Sequence, residues 1–259
     1  MKVLESFSLK GKVALITGGA GLYGRQIVEA LAEAGAKTYT ASRNVAALEK
    51  VAEIHRKRGE DVTALQFDQG DEQSALTVRD RIFKESGKID ILVNNSVLRP
   101  MKEAYQDKAS AFAESMKVNA TGLFIITRAI GDVMTNGGSI INIGSIQGLI
   151  GPEPALYRGT TMSGFYPDYF FHKGGMVNLT RFLASYYGSK GIRCNCIHPG
   201  GFKTEKMPEA FVRQYCEHTC LGRLANEMDL KGIIVFLASD ASVYVTGANI
   251  PIDGGYTAK

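Results

Sequence analysis

The run Val13-Ala14-Leu15-Ile16-Thr17-Gly18-Gly19-Ala20-Gly21-Leu22-Tyr23-Gly24 joins a short apolar segment to a glycine-rich turn. Ile27, Ala30, Leu31 and Ala34 then recur at the 3.6-residue spacing of one helix face. Strand, glycines and helix in that order are how an α/β protein brings its backbone up to a pyrophosphate. The glycines allow the tight turn, the close approach and close helix packing, while the helix N-terminus attracts the phosphate charge. A glycine-rich turn alone also serves as a plain structural turn, and its place between strand and helix is what points to a dinucleotide.

The same alternation continues outward. Lys37 to Ala41, Val62 to Phe67 and Ile89 to Val93 read as strands, separated by helices from Val45 to Lys57 and from Asp71 to Ser86. In the second half, a long helix near Ser110 to Met134 precedes the Gly137-Gly138 break. A strand at Ser139 to Ile143, a helix near Asp168 to Tyr187, a strand at Ile192 to Ile197, a helix near Met228 to Leu237 and a strand at Asn249 to Ile252 follow. Seven strands in βα units predict an α/β fold of the Rossmann type, a doubly wound parallel sheet flanked by helices, with its ligand beyond the strands' carboxyl ends. No linker interrupts the pattern, so residues 1–259 are expected to form one dinucleotide-binding and catalytic domain. Two stretches break the rhythm, 148–166 and 200–222; both follow strands at the ligand end and are read as walls of a substrate pocket.

Composition narrows the alternatives. The chain has 259 residues, 45% of them hydrophobic, enough for a sizeable core. Its longest apolar stretches, such as Leu123 to Ile126, fall far short of the roughly 20 residues that span a bilayer, so no membrane partner is expected. The first residues lack the continuous hydrophobic segment of a secretory signal. Cys194, Cys196, Cys216 and Cys220 include no Cys-x-x-Cys pair, and are read as thiols of a reducing, cytoplasmic compartment, with no metal site. The formal charge of +4 is dispersed, and its densest cluster, His55-Arg56-Lys57-Arg58, sits where cations complement a helix dipole rather than a nucleic acid.

The end of the second strand reports on the dinucleotide. A carboxylate there would accept from a ribose 2′-hydroxyl; Ser42-Arg43 instead offers a guanidinium that can grip a 2′-phosphate. NADP is favoured, and NAD remains open if Arg43 is only a solvated residue at the helix start.

Taken together, the glycine turn, Asp68, Asn94-Asn95, Asn119 in Val-Asn-Ala-Thr-Gly, Ser145, Tyr169-Phe-Phe-His-Lys173, Pro199-Gly200 with Thr204, and Asp253-Gly254-Gly255 resemble the short-chain dehydrogenase/reductase family from Gly11 to Tyr256. The resemblance implies an NAD(P)-dependent oxidoreductase acting on CH–OH or C=O groups. It implies cofactor contacts from Gly18, Gly21, Leu22, Tyr23, Gly24, Ser42 and Arg43, with Asp68 near the adenine, Asn94 on the adenosine side, and Pro199, Gly200 and Thr204 beside the nicotinamide. It also implies a homotetramer or dimer. Two features depart from the family pattern: Leu22 stands where a middle glycine is common, giving a spacing like that of the extended epimerase branch, and Ser96-Val97 replaces Ala-Gly.

Tyr169 and Lys173, four apart on a helix, share one face. A free tyrosine, with a pKa of about 10, is too weak an acid for neutral pH, and an adjacent ammonium favours its phenolate. Tyr169 is thus the expected general acid in reduction and base in oxidation, tuned by Lys173, which should also hold the nicotinamide ribose; Ser145 polarises the carbonyl. In the family pattern Asn119 kinks its helix and holds a relay water. Tyr186 and Lys190 repeat the spacing but stand just before the turn into the next strand, as a surface pair. The segment between Ser145 and Tyr169 is longer than is usual in the family. It carries Glu153, Tyr157, Arg158, Thr160, Thr161 and Ser163, and suggests a polar or sugar-like keto substrate contacted by Ser145, Tyr157, Arg158 and Tyr169. A cofactor-retaining sugar epimerase and a non-catalytic nucleotide sensor are the competing readings.

Overall fold

The aliphatic and β-branched runs form seven strands: β1 (Val13–Thr17), β2 (Lys37–Ser42), β3 (Val62–Gln66), β4 (Ile91–Asn94), β5 (Gly138–Ile143), β6 (Ile192–Pro199) and β7 (Asn249–Ile252). In this computed structural model, which describes residues 2–259, they pair in parallel in the order β3-β2-β1-β4-β5-β6-β7. The order reverses between β1 and β4, the switch point where a doubly wound sheet opens a crevice.

The helices are α1 (Leu22–Glu33), α2 (Val45–Lys57), α3 (Glu72–Ser86), α4 (Ala109–Met116), α5 (Leu123–Gly131), α6 (Pro167–Gly188), α7 (Glu209–His218) and α8 (Lys231–Ala238). Because strand side chains alternate between faces, Ala14 and Ile16 of β1 join Ile27 and Leu31 of α1 and Ile234 and Leu237 of α8 in one core. Val13 and Leu15 join Ile82 of α3, Ile130 of α5 and Leu183 of α6 in the other. All five β1 residues are buried, as a strand covered on both faces requires. None of the helices among the described residues is long and apolar enough to cross a membrane.

Local chemistry sets the ends. Asn44 and Asp71 cap α2 and α3 by accepting from the backbone N–H of Ala47 and Gln73, and α3 stops at Gly87 in the left-handed region (φ 70°). The basic cluster closes α2 as expected, with Lys57 paired to Glu53, Arg58 to Glu29 and His55 to Glu60.

Three departures matter for the site. The long helix expected over 110–134 is broken into α4, a π-helical turn at Lys117–Gly122, and α5. The Gln69 side-chain amide donates to the Val118 carbonyl (3.0 Å), and a Cβ on Gly122 would stand 2.1 Å from the Gln69 carbonyl. The loop after β3 thus draws one carbonyl out of the helical ladder, and only glycine fits beside it. Next, 200–222 is not all loop, since α7 forms within it; α8 starts at Lys231, three residues after Met228. Lastly, Leu156 from 148–166, Phe211 and Tyr215 of α7, Leu224 and Tyr256 form a separate small apolar core over Ile146.

Leu15 is fully buried between strands and helices, so Leu15→Ala is expected to lower unfolding free energy by about 2–5 kcal/mol, read from the urea midpoint at unchanged slope.

Candidate active site

The carboxyl ends of β1, β2, β4, β5 and β6 surround a cleft of about 720 Å³. At one end, Gly18 (φ 76°) begins the turn into α1. A Cβ on Gly24 would lie 2.2 Å from the Gly18 carbonyl oxygen, and one on Gly19 would lie 2.1 Å from the Thr40 hydroxyl, whereas one on Gly21 would meet nothing closer than 3.5 Å. Gly18, Gly19 and Gly24 are therefore demanded by the fold. Gly21 is free to be small for the sake of whatever lies against it. Thr17 and Asn95 hold the turn: the Asn95 amide donates to the Thr17 and Gly18 carbonyls (both 3.0 Å), and the Thr17 hydroxyl accepts from the N–H groups of Asn95 and Ser96. Tyr23 donates to the Gly200 carbonyl (2.8 Å) and packs edge-on against Phe202, tying the turn to the loop after β6; burial pushes its phenol pKa up.

These features fit a dinucleotide. No side chain caps the N-terminus of α1, which begins on the extended residue Gly21 and leaves helix-end N–H groups for an anion. Leu22, Ser42, Arg43 and Asp68 line the cleft beyond. Arg43 forms no ion pair among the described residues. Asp68 lines the cleft while also accepting from the Gly70 N–H in its own turn (2.9 Å).

At the other end, Ser145, Tyr169, Lys173 and Pro199 come together. Lys173 is buried, and its ammonium donates to the Ile143 carbonyl at the end of β5. Burial lowers the Lys173 pKa against the opposing pull of Tyr169. For Tyr169, burial raises the pKa, but the Lys173 and Arg99 charges and hydrogen bonds with Ser145 and Arg99 outweigh it, and the net shift is downward. The Ser145 hydroxyl also accepts from the Gln147 N–H (3.2 Å). His198 holds the Ser145 backbone: Nδ1 lies 3.0 Å from the Ser145 carbonyl oxygen and 3.3 Å from its N–H, while Nε2 lies 2.9 Å from the Asn249 side-chain oxygen. His172 meets the Tyr169 ring edge-on, and burial, then the Lys173 and Arg99 charges, push its pKa down to about 3.

The expected site residues do not all meet in the cleft. The Asn94 side chain does not reach the cleft; it donates to Thr127 and Asn142 (both 2.9 Å) within the packed sheet face, and its neighbour Asn95 holds the glycine turn. Asn119 sits in the π-helical turn, where its amide donates to the Leu98 carbonyl (2.7 Å) and accepts from the Leu98 N–H (2.8 Å), fixing the loop after β4. Thr204 and Gly200 are not among the residues that line the cleft; Phe202 and Met207 of that loop are. The 148–166 segment supplies no cleft wall. Tyr157 packs against Phe165 and Phe211, and Arg158 is exposed. Glu153, Thr160 and Ser163 cap turns within the segment. Apolar residues at 156, 157 and 162 were the signal: that segment buries itself rather than facing substrate. The guanidinium near the chemistry is Arg99, 4.1 Å above the Tyr169 ring centroid, and its position after an Asn-Asn strand end was the available clue.

Fold and cleft define an α/β oxidoreductase acting on CH–OH or C=O groups. The family model described as enoyl-(acyl carrier protein) reductase matches residues 21–257. Galactitol 2-dehydrogenase (L-tagatose-forming) of Cereibacter sphaeroides is 31% identical, with 97% of each chain covered. L-rhamnose 1-dehydrogenase (NAD(P)(+)) of a Sphingomonas strain is 33% identical, with 98% of each covered. A Burkholderia cenocepacia gluconate 5-dehydrogenase, solved in complex with NADP and tartrate, superposes with a TM-score of 0.89 at 30% identity over 100% of both chains. The chain belongs to the short-chain dehydrogenase/reductase family.

Gly24→Ala should lower the unfolding midpoint sharply, while Gly21→Ala keeps it near wild type and weakens dinucleotide binding; denaturation and calorimetry on both variants separate the two roles.

Proposed function

We propose that residues 1–259 act as one catalytic unit that interconverts a secondary alcohol and a carbonyl on a polar, sugar-like small molecule, with Tyr169 giving the proton in reduction and taking it in oxidation. The observation that carries this reading is the meeting of Ser145, Tyr169, Lys173 and Arg99 at one end of the cleft, where the charges and hydrogen bonds around the phenol shift its pKa downward. A group used for proton transfer works best when its pKa lies near the working pH. Ser145 is placed to donate to the substrate oxygen, and Lys173 holds Tyr169 toward its phenolate. Asn119 acts at a distance, by fixing the Leu98 backbone.

The nicotinamide cofactor, when bound, supplies the hydride chemistry. Of this chain's residues, the α1 N-terminus would take the pyrophosphate. Two of the three donors of the Lys173 ammonium lack a protein acceptor among the described residues and suit ribose hydroxyls. Arg43, just past the end of β2 and in no ion pair among the described residues, favours a 2′-phosphate and hence NADP over NAD. Relatives named for galactitol, rhamnose and gluconate support a sugar or sugar-acid substrate. Exposed Phe124 of α5 and Phe171, Phe182 and Tyr186 of α6 support packing of these helices against another copy in a dimer or tetramer. Four free cysteines suit a reducing cytoplasm.

An absorbance screen of keto sugars, keto acids and simple ketones with NADPH tests the reading. Turnover is expected, and Tyr169→Phe should cut it by about 10²–10⁴-fold while cofactor affinity stays near wild type. A Tyr169→Phe enzyme at the wild-type rate removes Tyr169 from the mechanism. Substrate conversion with no net change in nicotinamide absorbance points to a cofactor-retaining epimerase.

A further inference from the structure

We infer that Arg99 anchors a carboxylate on the carbon next to the reacting one, so that the site takes hydroxy acids and their keto forms. This rests on the dehydrogenase reading above. The Arg99 guanidinium carbon lies 4.1 Å from the centroid of the Tyr169 ring, over its face, and Arg99 lines the cleft. From there its N–H donors reach the phenol end of the ring, where Arg99 hydrogen-bonds Tyr169 and where substrate meets the phenolic oxygen. The donors therefore reach a group one bond away from the carbon whose oxygen Tyr169 protonates. A planar carboxylate there can accept two parallel hydrogen bonds. A phosphate ester sets its charge two bonds farther out, and a neutral polyol gains no ion pair.

Two further observations separate Arg99 from an incidental surface charge. It has no carboxylate partner among the described residues. Among the described residues, Asp68 is the only carboxylate that lines the cleft, and it follows the β3 end rather than adjoining Tyr169 in the chain. In addition, the segment that carries Arg99 is locked. Both backbone groups of Leu98 are held by the Asn119 amide, which donates to the Ser115 hydroxyl (2.9 Å), which in turn donates to buried Asp168 (2.6 Å), the residue before Tyr169. One buried network thus fixes the backbone before Arg99 relative to the backbone before Tyr169, and the exposed Arg99 side chain extends from that fixed point over the ring.

The test is calorimetric titration of the cofactor-saturated protein with matched pairs: lactate and propane-1,2-diol, glycerate and glycerol, gluconate and glucitol, with glycerol 3-phosphate as a further arm. Wild type is expected to bind at least one carboxylate about tenfold or more tightly than its neutral partner, and glycerol 3-phosphate no better than glycerol. Arg99→Gln should erase the gap at unchanged NADPH affinity, and Arg99→Lys should restore only part of it, because an ammonium lacks the fork. No preference in any pair, a gap that survives Arg99→Gln, or tightest binding by the phosphate ester overturns the assignment. The NADPH titration reads the dehydrogenase assignment separately. Failure to bind cofactor removes that assignment, whereas normal cofactor binding without a carboxylate gap removes only the role of Arg99.

Discussion

A lysine ammonium buried at the end of β5, with one protein hydrogen-bond acceptor, is the interaction around which the site is built. Removing such a charge from water is costly unless it is compensated. The Ile143 carbonyl supplies part of the compensation and the Tyr169 phenolate, when it forms, supplies more. The two shifts are one arrangement seen from both partners: burial destabilises the Lys173 ammonium, and its charge in return draws the Tyr169 proton off more readily. The spacing Tyr169 to Lys173 works only because α6 presents both side chains toward the sheet end.

The sheet makes this possible. A parallel sheet whose order reverses between β1 and β4 leaves the carboxyl ends of its central strands uncovered, and the loops there are tied together rather than left mobile. Asn95 binds the glycine turn, Tyr23 reaches the loop after β6, His198 grips Ser145, and Asn119 grips Leu98. Each tie runs from a polar side chain, buried in His198 and Asn119 and half-buried in Asn95 and Tyr23, to a backbone group, so the donors and acceptors that a loop would otherwise waste on water instead set the position of a neighbour.

Much of this was legible in the sequence because strand and helix periods, glycine turns and the Tyr169–Lys173 spacing are local. Strands β1 and β7 and helix α2 fall on the residues that periodicity gave them, and Gly18, Tyr23, Arg43, Ser145, Tyr169 and Lys173 do meet in one cleft. What failed was long-range. The break in the 110–134 helix comes from Gln69, a residue far away in the chain. Asn94 and Asn95 are adjacent and alike, and only strand alternation decides which faces the turn. Tyr157 and Arg158 were placed in the pocket on polarity, but the segment's apolar residues bury it against α7. Arg99 was overlooked because its one local clue, a place after an Asn-Asn strand end, does not reveal that α6 will bring Tyr169 beneath it.

The most direct test of a phenol acidified by its neighbours needs no substrate. It is an ultraviolet difference titration of tyrosinate formation in wild type, Tyr169→Phe and Lys173→Met. One of the 11 tyrosines should ionise below the ordinary value of about 10, be missing from the Tyr169→Phe curve, and move upward in Lys173→Met. If the wild-type and Tyr169→Phe curves coincide below that value, Tyr169 is an ordinary buried phenol and the site does not work by the chemistry described.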